Sequence, residues 1–177
     1  MKMPSSLELD ATLKRRYVGQ VVELDRINYQ QAPFPAALAW AEQRPWMYTL
    51  LRRGETVLGY GLVIPLIKSA FEALKEGRMW EDEITLNYIA ENSPRGYYLA
   101  SIAANPEANY RERALIVGST VGSLLRSPQE VIAVPISEAG DKIARMIHME
   151  ERWCSLKLPG IEKYRPKLFA RLSESTY

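Results

Sequence analysis

Two runs of strand-forming residues, Trp46–Leu51 and Thr56–Ile64, are separated by only Arg52-Arg53-Gly54-Glu55, with a glycine where the chain must reverse. Both runs are rich in the aromatic, β-branched and aliphatic side chains that pack on a pleated surface. A β-hairpin follows, and the remaining chain has to be read around it. Its second arm carries Gly59 and Gly61 two residues apart. Side chains alternate across a strand, so both glycines bare the same face. That face admits a ligand, another chain or a packed aromatic ring.

Upstream, Tyr17–Leu24 has the β-branched and aromatic content of a strand, and Ala36–Glu42 is a short helix that Pro45 ends. Downstream, Ser69 and Glu72 have the spacing of a capping box, and Gly77 stands where a helix C-cap belongs, so a helix runs from about Ser69 to Glu76. Trp80–Asn92 is ambiguous, with Glu81, Asp82 and Glu83 at the solvated start of a second helix, or placed to flank an acceptor amine. Tyr97–Ala104 reads as a buried strand. Tyr110–Arg126 reads as a helix with Leu115, Val121, Leu124 and Leu125 inward, stopped by Ser127-Pro128. Val131–Val134 is a short buried strand. Ser137 caps a helix to about Glu151, with Ile143, Ala144 and Ile147 inward, and Trp153–Leu158 and Lys167–Leu172 form a closing strand pair. This alternation makes the chain a mixed α/β (α+β) fold with a central sheet, and 177 residues suit one domain.

Twenty-three Lys and Arg against 21 Asp and Glu leave a formal net charge of +2, too little to indicate a nucleic-acid or membrane-surface partner. No run of 18 apolar residues is present, and the start has no signal-peptide core. Cys154 alone rules out an intramolecular disulfide and fits a reducing, cytoplasmic compartment. Its default role is a buried inert thiol. A single histidine, His148, and the absence of CxxC and HExxH patterns give no metal site. Gly118-Ser119-Thr120-Val121-Gly122-Ser123 lacks the lysine of a phosphate loop, so Gly118 and Gly122 read as a close-packing face on a helix.

The element order, with Leu24–Leu66 as its best stretch and the hairpin Tyr48–Leu66 within it, resembles the Gcn5-related N-acetyltransferase (GNAT) family. A second likeness is Asp141, Ala144 and His148 at the spacing of the family's Asn, Ala and Tyr, followed by Arg152-Trp153. The third is Arg111-Glu112-Arg113-Ala114-Leu115-Ile116, at the family's Arg/Gln-x-x-Gly-x-Gly/Ala. There, backbone N–H groups at a helix N-terminus hold the acetyl-CoA diphosphate. Arg111 matches; Ala114 and Ile116 stand in place of glycines, and Glu112 brings a negative charge that Arg111 and Arg113 offset if it points away.

The resemblance implies a central mixed, mostly antiparallel sheet flanked by helices, with a helical insertion between the third and fourth strands. It implies an N-acetyltransferase moving an acetyl group from acetyl-CoA to a small-molecule or peptide amine by direct attack. The acyl carbonyl would meet a backbone N–H near Ile102, Ala103 or Ala104. The cofactor would contact those residues, Arg111 through Leu115 and Asp141, and the insertion would shape the acceptor pocket. His148 takes the place of a tyrosine that protonates the departing thiolate. Imidazole, with a reference pKa of about 6.5 against about 8.5 for a thiol, is able to do so. Residues 97–104 offer no carboxylate base, only Ser101 and two tyrosines. Two other readings stay open: a non-catalytic binding or regulatory module, and an acyltransferase whose donor is carried on a protein. A homodimer through an unpaired last strand is also open.

Overall fold

The computed structural model describes residues 6–29, 35–135, 138–146, 150–152 and 168–171. In chain order they form β1 (Leu7–Asp10), α1 (Val18–Tyr29), α2 (Pro35–Gln43), β2 (Tyr48–Arg53), β3 (Thr56–Leu66), α3 (Lys68–Lys75), β4 (Gly96–Ala104), α4 (Tyr110–Leu125), β5 (Glu130–Ala133), α5 (Glu138–Met146), β6 (Glu150–Arg152) and β7 (Leu168–Arg171). The strands make one sheet in the order β1-β2-β3-β4-β5-β7-β6. β4 and β5 are parallel, whereas β1–β2, β2–β3, β5–β7 and β6–β7 are antiparallel. This is the expected mixed, mostly antiparallel sheet. The expected insertion between β3 and β4 holds α3 and two 3-10 turns, Glu81–Glu83 and Leu86–Tyr88. The chain divides into two compact units, residues 1–63 with 101–122 and residues 64–100 with 123–177.

In the first unit the hairpin closes at Arg53↔Thr56, with Gly54 at φ +58° supplying the left-handed turn. Tyr17–Leu24, expected as a strand, is instead the entry to α1, which begins at Val18. Tyr17, Val21 and Leu24 are all buried, and their spacing of four and three is that of one helical face. Strand-like composition lost to helical period. The unforeseen β1 is held by Arg52, which is only 7% exposed. Its guanidinium donates to Asp10 at 2.6 Å, to both oxygens of Glu8 and to the Gly54 carbonyl at 2.8 Å.

α4 covers the face of β3 that Gly59 and Gly61 leave bare. A Cβ at Gly59 would lie 2.1 Å from Ile116 Cδ1, and one at Gly61 1.9 Å from Thr120 Oγ1. Neither ligand nor aromatic fills that face; a helix does. Gly118 and Gly122, expected as the packing glycines, have open space where a Cβ would project. The close approach is made from the strand. Val121 and Leu124 are buried as expected and are joined by Ile116 and Thr120, whereas Leu115 and Leu125 are half exposed.

In the second unit α3 starts from Ile67 with no side-chain cap, and Glu72, the expected capping partner, pairs with Arg95 at 3.0 Å. Gly77, at φ +70°, ends it: the Gly77 N–H bonds the Leu74 carbonyl at 3.0 Å and the Arg78 N–H the Ala73 carbonyl at 2.8 Å. Glu130 of β5 is buried and accepts from Lys75 at 2.6 Å and Arg95 at 2.7 Å. α5 ends at Met146 rather than near Glu151, because Glu150–Arg152 pairs with β7. β7 is bonded on both sides, to β5 and β6, so the last strand is not the unpaired edge expected for dimerisation. Ser137, Ile147, His148 and Trp153–Leu158 lie outside the described residues.

Candidate active site

The C-terminal end of β4 organises the site. β5 pairs with β4 over Gly96–Leu99, and β4 runs on to Ala104. The Asn105 N–H donates to the Leu58 carbonyl of β3 at 2.8 Å. Backbone groups alternate edges along a strand, so Ala103 and Asn105 face β3 while Ile102 and Ala104 face the opposite edge. On that opposite edge α1 supplies the partners. The Asn28 amide donates to the Ala104 carbonyl at 3.1 Å and the Tyr29 hydroxyl to the Ile102 carbonyl at 3.3 Å. The N–H groups of Ile102 and Ala104 point along the same edge as those carbonyls.

Four polar side chains meet beside this strand end. Asp25 and Tyr29 sit four apart on α1, hence on one helical face. Tyr60 lies between the two glycines of β3 and so projects to the face away from α4. The Tyr60 hydroxyl donates to Asp25 Oδ1 and lies 3.0 Å from the Ser101 hydroxyl of β4, which is 2.7 Å from that of Tyr29. Burial pushes the Asp25 carboxyl up to about 6, with the Tyr60 hydrogen bond offsetting part of the rise. Burial, then the neighbouring Asp25 and Tyr29, push the Tyr60 phenol well above its ordinary value. Sequence reasoning missed Asp25, Tyr29 and Tyr60. Asp25 directly follows the run with strand composition, and its spacing to Tyr29 becomes a signal only once Tyr17–Leu24 is read as helical.

The expected diphosphate cradle is built differently. Arg111, Glu112, Arg113, Ala114 and Leu115 all lie inside α4, whose first residue is Tyr110. Only the first four N–H groups of a helix are free of its ladder, so those of Ala114 and Leu115 are internal. Glu112 does not point away. It is 3% exposed, pairs with Arg53 rather than Arg111 or Arg113, and accepts the Asn109 N–H at 2.9 Å. Asn109 Oδ1 in return accepts the Glu112 N–H at 3.1 Å, a reciprocal capping box. Asn105 takes the N–H groups of Glu107 and Ala108, each at 2.9 Å. The Arg113 guanidinium is spent on the Ala108 and Pro106 carbonyls, at 2.8 and 2.9 Å. A carboxylate of the chain's own occupies the positive end of α4. The residues of this turn do not fit a diphosphate held in the manner the resemblance implies.

Asp141 lies on α5 in the second unit, 3.9 Å from Arg145. Among the described residues no group of three His, Cys, Asp or Glu is placed to hold a metal ion, and no helix is long and apolar enough to cross a membrane.

No family model and no curated protein sequence matches the chain. Solved structures match its backbone. It is similar to the GphF GNAT-like decarboxylase in complex with isobutyryl-CoA, at 10% identity over 94% of this chain and 98% of that one, TM-score 0.68. It is similar to the loading GNATL domain of CurA from Lyngbya majuscula, at 9% identity over 93% and 96%, TM-score 0.67. Arabidopsis thaliana Naa50, solved with the bisubstrate analogue CoA-Ac-MVNAL, matches at 10% identity over 94% and 98%, TM-score 0.64. With the strand order and the insertion described above, the chain has the Gcn5-related N-acetyltransferase fold.

Proposed function

We propose that the protein is an acyltransferase that moves an acetyl group from acetyl-CoA to an amine by direct attack. The observation that carries this reading is the edge of β4 at Ile102–Ala104. It lies past the pairing with β5, carries two backbone N–H groups and is flanked by a half-buried carboxylate and three hydroxyls. An N–H on a rigid strand is a fixed dipole that stabilises charge developing on an acyl oxygen, and holding amine and thioester together lowers the barrier further. Support comes from the fold and from the CoA compounds named with two of the similar structures. His148 is assigned the proton for the departing thiolate.

A second reading has its own observation. The Glu112 carboxylate, bonded to the Asn109 N–H and to Arg53, already fills the positive end of α4 that a diphosphate would use, which favours a donor whose acyl arm is carried on a protein.

Calorimetric titration with acetyl-CoA and with desulfo-CoA tests the first reading. Micromolar dissociation constants for both support it, and absence of heat at millimolar ligand removes it in favour of the second. With binding present, His148→Phe is expected to lower turnover and leave donor affinity unchanged; equal turnover removes His148 from the chemistry.

A further inference from the structure

The three hydroxyls beside β4 can all be satisfied in one direction. Tyr60 gives its proton to Asp25, which leaves the Tyr60 oxygen to accept from Ser101 at 3.0 Å, and Ser101 to accept from Tyr29 at 2.7 Å. Every donor then points toward the carboxylate. Tyr29 is the outer member: half-buried, its oxygen lies 3.3 Å from the Ile102 carbonyl, a longer contact that its single proton gives up when turned to Ser101 at 2.7 Å. Tyr60, 1% exposed, is the inner one. One end of the chain touches the strand edge at which the acyl group is placed, and the other ends on the one carboxylate of the group.

We propose that Asp25 is the terminal base of the transfer, receiving the proton of the attacking amine through Tyr29, Ser101 and Tyr60. The proposal rests on the acyl-transfer reading and adds the base that reading lacks. The amine nitrogen bonds to the thioester carbonyl carbon, and the C–S bond breaks with its electron pair leaving on sulfur. The surplus N–H proton passes to Tyr29, whose own proton passes to Ser101, that of Ser101 to Tyr60, and that of Tyr60 to the Asp25 carboxylate. The thiolate takes a proton from solvent. Product amide, free thiol and neutral Asp25 result, and Asp25 returns its proton to solvent.

The titratable groups that face Asp25 are Tyr60 from β3 and, through Ser101, Tyr29 from the next turn of α1. Arg26, its neighbour on α1, is bonded to Glu23 at 2.6 Å. A base near 6 is ionised at neutral pH yet close enough to it to release its proton again.

The test follows CoA release from acetyl-CoA with benzylamine and with a tripeptide bearing a free N-terminus, over pH 5 to 9. The full-length chain and Asp25→Asn, Tyr60→Phe, Ser101→Ala and Tyr29→Phe are compared, each checked for folding by near-UV circular dichroism. Asp25→Asn is expected to lower kcat about a hundredfold, the scale of a lost general base, with the acetyl-CoA dissociation constant unchanged. The wild-type acid limb, at about 6, is expected to vanish in that variant. Because the members act as one unit, Tyr60→Phe/Asp25→Asn is expected to be no slower than Asp25→Asn alone. Should Asp25→Asn fail to fold, Tyr29→Phe, at the outer end, carries the test through the same loss of kcat. Unchanged kcat and acid limb in the folded variants overturn the relay while leaving the donor reading intact. So does wild-type protein that binds acetyl-CoA but releases no CoA to either amine. Absence of acetyl-CoA binding overturns the function itself.

Discussion

Asp25 shows how a single carboxylate acquires a role that its place in the sequence does not announce. It stands alone between Leu24 and Arg26, and no acidic partner lies at catalytic spacing. What sets it apart is made in three dimensions: burial raises it, and a phenol from a distant strand bonds it. The raised value also fixes the sign of a stability effect. The folded state holds the Asp25 proton more tightly than the unfolded chain, so the penalty of ionising it is absent at low pH. That penalty grows between about 3.8 and about 6, and is fully present above. Asp25→Asn keeps an oxygen for Tyr60 and never ionises. It is therefore expected to be more stable than wild type in urea at pH 7.5, by roughly 1–2 kcal/mol after allowing for partial exposure, with the difference gone near pH 4. An equal difference at both pH values refutes this. Glu112 shows the same limit of local reading: its sign was plain in the sequence, but not that it folds back on Asn109 and Arg53.

At the level of elements, those with strong local signals were legible. The hairpin, α2, β4, α4 and β5 stand where residue pattern and punctuation put them, within two residues. α1 was misread because its β-branched residues outweighed a three-residue helical period, and β1 because four residues with two acids do not look like a strand. Gly59 and Gly61 were recognised as unusual, but which neighbour uses the space is a tertiary fact. The consequence is specific. Gly61→Ala places a methyl against Thr120, and overpacking of this kind costs about 1–3 kcal/mol. Urea denaturation of Gly61→Ala, Thr120→Ala and the double variant is expected to show the double recovering part of the loss, because Thr120→Ala removes the two nearest atoms. Strict additivity would mean that α4 shifts bodily instead.

For the molecule as a whole, the fold class came through from alternation of elements, and the family likeness through the hairpin. Residue pattern delimited the strand that ends at Ile102–Ala104, and only the resemblance assigned those residues to a site. The other members of the hydroxyl chain come from α1 and β3, and no spacing rule links residues 25, 29, 60 and 101. Each compact unit has its own buried charge arrangement, Arg52 with Glu8 and Asp10 in the first and Glu130 with Lys75 and Arg95 in the second. The first of these has a practical side. Arg52 belongs to the hairpin, but both carboxylates that neutralise it come from the first ten residues. Trimming the chain to begin after Asp10 would strand a guanidinium in a nearly dry place and unzip the sheet from that border inward. A shortened version made for crystallisation or for fusion to a tag therefore has to keep those opening residues, however dispensable they look.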